Sequence, residues 1–156
     1  MALTRINNQA LPTLDSDKLP SGSVLQTKSV KYQTSMVTSS TGYVDSGLSL
    51  SITPTSTSSK ILVIVNQSIS PITVGTNTYA RGRVLRGTTE INADQRLLLN
   101  HRYGHTYYSV SILDSPATTS SVTYKVQVGT GNSSYSVEAQ HAALRPSTIT
   151  VMEIAG

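Results

Sequence analysis

Leu48-Ser49-Leu50-Ser51-Ile52, then Pro54, the run Thr55-Ser56-Thr57-Ser58-Ser59, and Lys60-Ile61-Leu62-Val63-Ile64-Val65-Asn66 together decide the fold class. The first five residues alternate strictly, so a strand there has one apolar and one hydroxyl face. Pro54 ends that strand, and the polar run after it reads as a turn. Lys60–Asn66 is apolar on both faces, and such a strand has to be covered on both sides. Thr148-Ile149-Thr150-Val151-Met152-Glu153-Ile154 repeats this two-faced character near the end of the chain.

Further strand signals fill the interval. In Tyr79–Arg86, Ala80, Gly82 and Val84 point one way while Arg81, Arg83 and Leu85 point the other. Tyr108, Val110 and Ile112 share one face, and Val122, Tyr124, Val126 and Val128 alternate with Thr123, Lys125 and Gln127. Weaker candidates lie near Val24–Tyr32 and Ser134–Ala139. Eight or more short strands and no convincing helix predict an all-β fold, a jelly-roll-like antiparallel β-sandwich. A two-sheet sandwich buries one face of each sheet. The second face of the two-faced strands is covered either by loops over a thick core or by a neighbouring subunit. The subunit reading is favoured, with Ile61, Val63, Val65, Ile149, Val151 and Met152 as the candidate contacts of a homotrimer.

Composition points the same way. Ser and Thr supply 45 of the 156 residues and Glu only three, a balance that works against helices and suits strands and turns. Phe and Trp are absent, so Val, Ile, Leu and some of the eight Tyr must fill the core. The absence of cysteine excludes disulfides and thiolate metal sites. Ile61–Val65, the longest apolar run, is far short of the ~20 residues that span a bilayer, so no membrane insertion is expected. No signal peptide is legible at the N-terminus.

The chain divides into two parts. Residues 1–22 carry isolated apolar residues (Leu3, Ile6, Leu11, Leu14, Leu19) without a sustained period, together with Pro12 and Pro20. They read as an extended N-terminal attachment arm, and 23–156 as the sandwich domain. The formal net charge of +4 has one local source: Arg81, Arg83, Arg86, Arg96 and Arg102 fall within 22 residues. This is either a solvated outer face or a contact surface for an acidic protein or an anionic host glycan. Nucleic acid fits poorly, because Tyr79 and Tyr103 are the only stacking aromatics nearby.

Catalytic chemistry finds no support. There is no Gly-x-Ser-x-Gly elbow, no phosphate-binding glycine loop, and the eight carboxylates are spread singly. His101 and His105 would sit ~13 Å apart along a strand, so they read as loop histidines rather than a metal pair. No enzyme activity, cofactor or metal is expected.

Several stretches carry a resemblance: Met1–Asn8, Leu19–Gln26, Gly47–Val65, Leu113–Lys125 and Ser147–Gly156. Together they cover 58 of the 156 residues, a little over a third of the chain, and include both of its ends. They resemble small virion-associated, tail-fibre-like structural proteins of marine tailed phages, those of cyanobacteria (cyanophage type) and of marine alphaproteobacteria (pelagiphage type). The resemblance implies a trimeric jelly roll like that of C1q and tumour-necrosis-factor-like domains, attached by its N-terminus. It carries over no functional residue. The resulting expectation is a non-enzymatic structural protein on the virion surface, made in the host bacterial cytoplasm. It would be a homotrimeric capsid decoration, knob or short fibre module that meets capsid or tail proteins through its arm. The alternative is a receptor- or glycan-binding tip of a tail fibre, serving host attachment through loops near Ser70–Asn77 and His101–Tyr107.

Overall fold

A computed structural model describes residues 19–73, 79–98, 105–141 and 145–156. Ten strands follow one another: β1 (Val24–Tyr32), β2 (Met36–Thr38), β3 (Val44–Ile52), β4 (Lys60–Pro71) and β5 (Tyr79–Arg86), then β6 (Thr89–Leu98), β7 (Thr106–Asp114), β8 (Val122–Thr130), β9 (Val137–Ala139) and β10 (Ser147–Ile154). No helix occurs among the described residues.

The pairing is nested. β1 pairs with β10, β3 with β8, β4 with β7 and β5 with β6, all antiparallel. A long hairpin of four such pairs rolls up when β10 also pairs with β4 and β8 with β5. The result is two four-stranded sheets, β1-β10-β4-β7 and β3-β8-β5-β6, with the short β9 pairing with the last residues of β4, Ile69–Pro71, and β2 pairing with β9. Eight strands in that nested order are a jelly roll.

Between the sheets lie Leu48, Ile52, Ile61, Val63, Val65, Val84, Val126, Val128, Ile149 and Val151, all essentially without exposure. Two tyrosines supply the bulk that Phe and Trp would otherwise give. Tyr108 lies on the β5 backbone at Gly82, where a Cβ would come within 3.0 Å of its ring, and its hydroxyl donates to Asn92 Oδ1 (2.9 Å). Tyr124 fills the other half. β3 contains a bulge between Asp45 and Ser49, where Gly47 adopts φ +83° against the ring of Tyr32.

β6 has no counterpart in the sequence reading. Its Asn92-Ala93-Asp94-Gln95 segment holds residues depleted from strands. The overlooked signal is the two-residue turn Gly87-Thr88, with Gly87 at φ +57°, which joins Arg86 to its partner Thr89.

Candidate interaction surfaces

The outer face of β3-β8-β5-β6 holds the charges. Ala80, Gly82 and Val84 are buried, so strand alternation turns Arg81 and Arg83 outward. Arg83 donates through Nε and Nη2 to Gln127 Oε1 (2.9 and 2.7 Å) and pairs with Glu90 through Nη1 (2.9 Å). Arg81 Nη1 donates to the Thr41 carbonyl (2.9 Å). Both guanidinium groups lie over the Tyr43 ring, at 4.7 Å for Arg81 and 4.1 Å for Arg83. The negative face of one aromatic ring thus offsets the repulsion between like charges two residues apart. Arg96 sits 5.0 Å from the Tyr79 ring in the same way. Asp45 closes the row, accepting from Gln127 Nε2 (2.7 Å) and Lys125 Nζ (3.1 Å). Partial burial pushes the Asp45 carboxyl up, but the bonds from Gln127 and Lys125 outweigh it and hold the group below the usual carboxylate range. Tyr43 escaped the sequence reading because it lies far from the arginines along the chain and meets them only through sheet pairing.

Arg86 does not belong to this face. It turns towards the opposite sheet and donates through Nη1 to both oxygens of Asp114 (2.8 and 2.7 Å), while the Tyr124 hydroxyl donates to Asp114 Oδ2 (2.7 Å). Arg86 is on β5 and Asp114 on β7, so the pair staples the two sheets together. Burial and then the bond to Asp114 push the Tyr124 hydroxyl well above the ordinary phenol range. Expecting Arg86 as a partner contact is therefore corrected: an inward guanidinium neutralises an inward carboxylate. Arg102 lies outside the described residues.

Ile61 is flanked across the ladder by two acids on its own face, Asp114 and Glu153. Glu153 has no exposure. It accepts from Gln26 Nε2 (2.6 Å), the Thr55 amide (2.6 Å) and the Thr55 hydroxyl (2.8 Å). Burial pushes this carboxyl up, but the donors, Gln26 foremost, hold it below the ordinary range.

The outer face of β1-β10-β4-β7 is of a different kind. Ile61, Val63, Val65, Ile149 and Val151 point into the chain's own core with 0% exposure, so their side chains are not available to a neighbouring chain. Of the six candidate contacts only Met152 faces out. Its ladder partners are Leu62 and Thr27, and Leu62 in turn pairs with Leu113, which is 56% exposed. One row towards the chain termini lie Val24 (54% exposed), Ile154 and Lys60; one row the other way lie Ser29, Thr150, Ile64 and Ser111; beyond them are Lys31, Thr148, Asn66 and Ser109. Across these four rows the only charges are Lys60 and Lys31, in the two outermost rows.

At the far end of β4 the same face carries a polar cluster. Ser70 Oγ and His105 Nδ1 are 2.7 Å apart, and His141 Nδ1 is 2.5 Å from Glu138 Oε2. Glu138 also accepts from the Ser35 hydroxyl. The two imidazole centres are 6.0 Å apart. Slight desolvation, followed by the nearby charge of Arg145, lowers the exposed His105 below the ordinary imidazole range. Burial pushes Glu138 up, but the bonds from Ser35 and His141 hold it below the usual carboxylate range. The spatial partner of His105 is thus His141; His101 lies outside the described residues.

Of the arm, Leu3, Ile6, Leu11 and Leu14 lie outside the described residues. Leu19 lines a surface hollow of about 410 Å³ with Leu25, Thr55, Ser56, Ser59 and Gly156. Beside it the Gly22 amide donates to the Ala155 carbonyl (2.8 Å) and the Ala155 amide to the Ser23 carbonyl (2.8 Å). The start of the sandwich is thereby tied to its last strand.

No protein-family model and no curated protein matches the chain. Among solved structures it is similar to that of the infectious bursal disease virus Gx strain, with TM-score 0.45 and 12% identity over 86% of this chain. It is also similar to the VP2 subviral particle of infectious bursal disease virus, with TM-score 0.37 and 11% identity over 86% of this chain. The chain covers 38% of the length of each of those proteins. The jelly-roll assignment rests on this chain's own strand pairing, β1 with β10 and inward to β5 with β6.

Proposed function

We propose that the chain is a non-enzymatic structural module of a tailed-phage virion: a homotrimeric decoration, knob or short fibre module held by the arm 1–22. The phage assignment rests on the sequence resemblance described above. The observation that carries the assembly is the contrast between the two outer sheet faces. One sets Arg81, Arg83, Arg96 and Lys125 among Asp45 and Glu90, as a solvated face does. The other is charge-free between its outermost rows and leaves Leu62, Ile64, Met152 and Ile154 partly exposed. Charge depletion with Met and aliphatic side chains is the mark of an interface core. Four strands at ~4.8 Å and about eight residues at ~3.3 Å make a patch of roughly 500 Å² in plan. That is about the size per partner at which specific association becomes stable once side-chain relief is added. Three weak arm contacts per trimer would then give avidity beyond any single one.

Light scattering at micromolar concentration tests this reading. The expected mass is three times 16.6 kDa, about 50 kDa. Ile64→Asp should give a folded monomer with an intact β signature, whereas Val63→Asp should unfold the chain because its carboxylate would be buried without a partner. A monomeric mass for the unmodified protein overturns the assembly.

A second reading, a receptor- or glycan-binding tip, is favoured by the Arg81/Arg83/Tyr43 and Arg96/Tyr79 groupings. They present planar cations beside aromatic rings on an outer face.

A further inference from the structure

We propose that His105 and His141 form a binding site for a divalent transition-metal ion of the zinc class. The two residues are 36 positions apart and reach each other only because β9 and β7 both pair with the end of β4, at Ile69. Each imidazole is held at Nδ1 by an oxygen: His105 by Ser70 Oγ (2.7 Å), His141 by the Glu138 carboxylate (2.5 Å). An ionised carboxylate only accepts, so His141 Nδ1 carries a proton, and in the neutral imidazole Nε2 then presents the lone pair. The Ser70 hydroxyl can accept from Nδ1 of His105, which leaves that Nε2 in the same state. An imidazole oriented at Nδ1 by a carboxylate or hydroxyl, with Nε2 free, is the arrangement that supports metal ligation.

The spacing is suitable. Two imidazoles on one tetrahedral ion, with metal–nitrogen bonds of ~2.0 Å, have ring centres about 5 Å apart. The observed 6.0 Å closes with a small rotation of the exposed His105 side chain. Imidazole donors suit Zn²⁺, Ni²⁺ and Cu²⁺ and not Ca²⁺ or Mg²⁺, which take oxygen ligands. No set of three or more His, Cys, Asp or Glu is arranged to hold a metal among the described residues. The protein therefore supplies two nitrogens, and water completes the coordination. Glu138, itself fixed by Ser35, balances the positive charge of Arg145 beside the site. Ser70 and Glu138 are ladder partners, so the ion would cross-link the short β9 and the start of β7 to the end of β4.

The test is calorimetric titration of the untagged full chain with ZnCl₂, repeated on His105→Ala, His141→Ala and Glu138→Gln. The expected result is saturable binding that weakens at least ~10-fold in either of the first two variants and ~10–100-fold in Glu138→Gln. Circular dichroism without metal should be the same for all three, which separates lost ligation from lost fold. No saturable Zn²⁺ binding, or binding that survives both His105→Ala and His141→Ala, overturns the proposal.

Discussion

Replacing Glu153 by Gln is the most incisive test of how the last strand is held to Gln26 of β1 and to the Thr55 turn. The substitution keeps volume and removes one charge. The carboxylate accepts three hydrogen bonds, two from Thr55 on one oxygen and one from Gln26 Nε2 on the other. An amide keeps its oxygen towards Thr55, but its NH₂ then opposes the NH₂ of Gln26, donor against donor. Turning the Gln26 amide over relieves that conflict and sacrifices its bond to the Thr53 carbonyl (2.8 Å). Either way one bond is lost, and the two that remain change from charged to neutral. A hydrogen bond to a charged group contributes about 1.5–3 kcal/mol and a neutral one about 1, which sums to a loss of about 2.5–7 kcal/mol; an amide costs less to bury than a carboxylate, so the lower end, roughly 2–3 kcal/mol, is expected at pH 7. With a urea m-value of about 2 kcal/mol/M, the midpoint should fall by about 1 M at fixed protein concentration.

The dependence on pH follows from the sign of the Glu153 shift. Its carboxyl lies below the ordinary value of 4.5 when folded, so the unfolded chain binds the extra proton first. The stabilisation is complete above the unfolded value and disappears as pH falls through the folded one. The gap between the native chain and Glu153→Gln should therefore narrow on acidification below about pH 4.5. Equal midpoints at pH 7, or a gap that persists unchanged below the folded value, would refute the reasoning.

Tyr124→Phe removes one donor from Asp114 while leaving both Arg86 contacts, and should lower stability by about 1–2 kcal/mol in denaturant titration. Arg86→Met strands the Asp114 carboxylate on the inner face and should cost more, about 3 kcal/mol or above, a ranking that reverses if the staple contributes nothing. Arg81→Ala combined with Arg83→Ala should leave the fold intact and weaken cell adsorption or virion attachment more at low than at high salt. Unchanged attachment at both ionic strengths would reduce these arginines to a solvated face.

Much of the fold was legible because strand periodicity is local. Alternation along Leu48–Ile52, Tyr79–Arg86 and Val122–Val128 assigned those strands and their faces without any knowledge of partners. Scarce Glu and abundant Ser and Thr argued against helices, and the arginine parity at 81 and 83 followed from geometry alone. The inward turn of Arg86 did not. In alternation along β5, Arg86 shares the face of Val84, and only Asp114 on the facing sheet makes a charge tolerable there.

What tertiary structure alone decided is which of two chemically similar faces became the core. Ile61-Leu62-Val63-Ile64-Val65 offers apolar groups both ways, and a one-residue change of register exchanges them. Pairing with β10 and β7 sets Ile61, Val63 and Val65 inward and leaves Leu62 and Ile64 partly exposed. The same pairing buries Glu153 beside Ile61, where Thr55 and Gln26 supply its donors, and assembles Tyr43 with Arg81 and His105 with His141. Each of these contacts joins residues distant in sequence, so its physical cause lies in the nested strand order and in no local pattern.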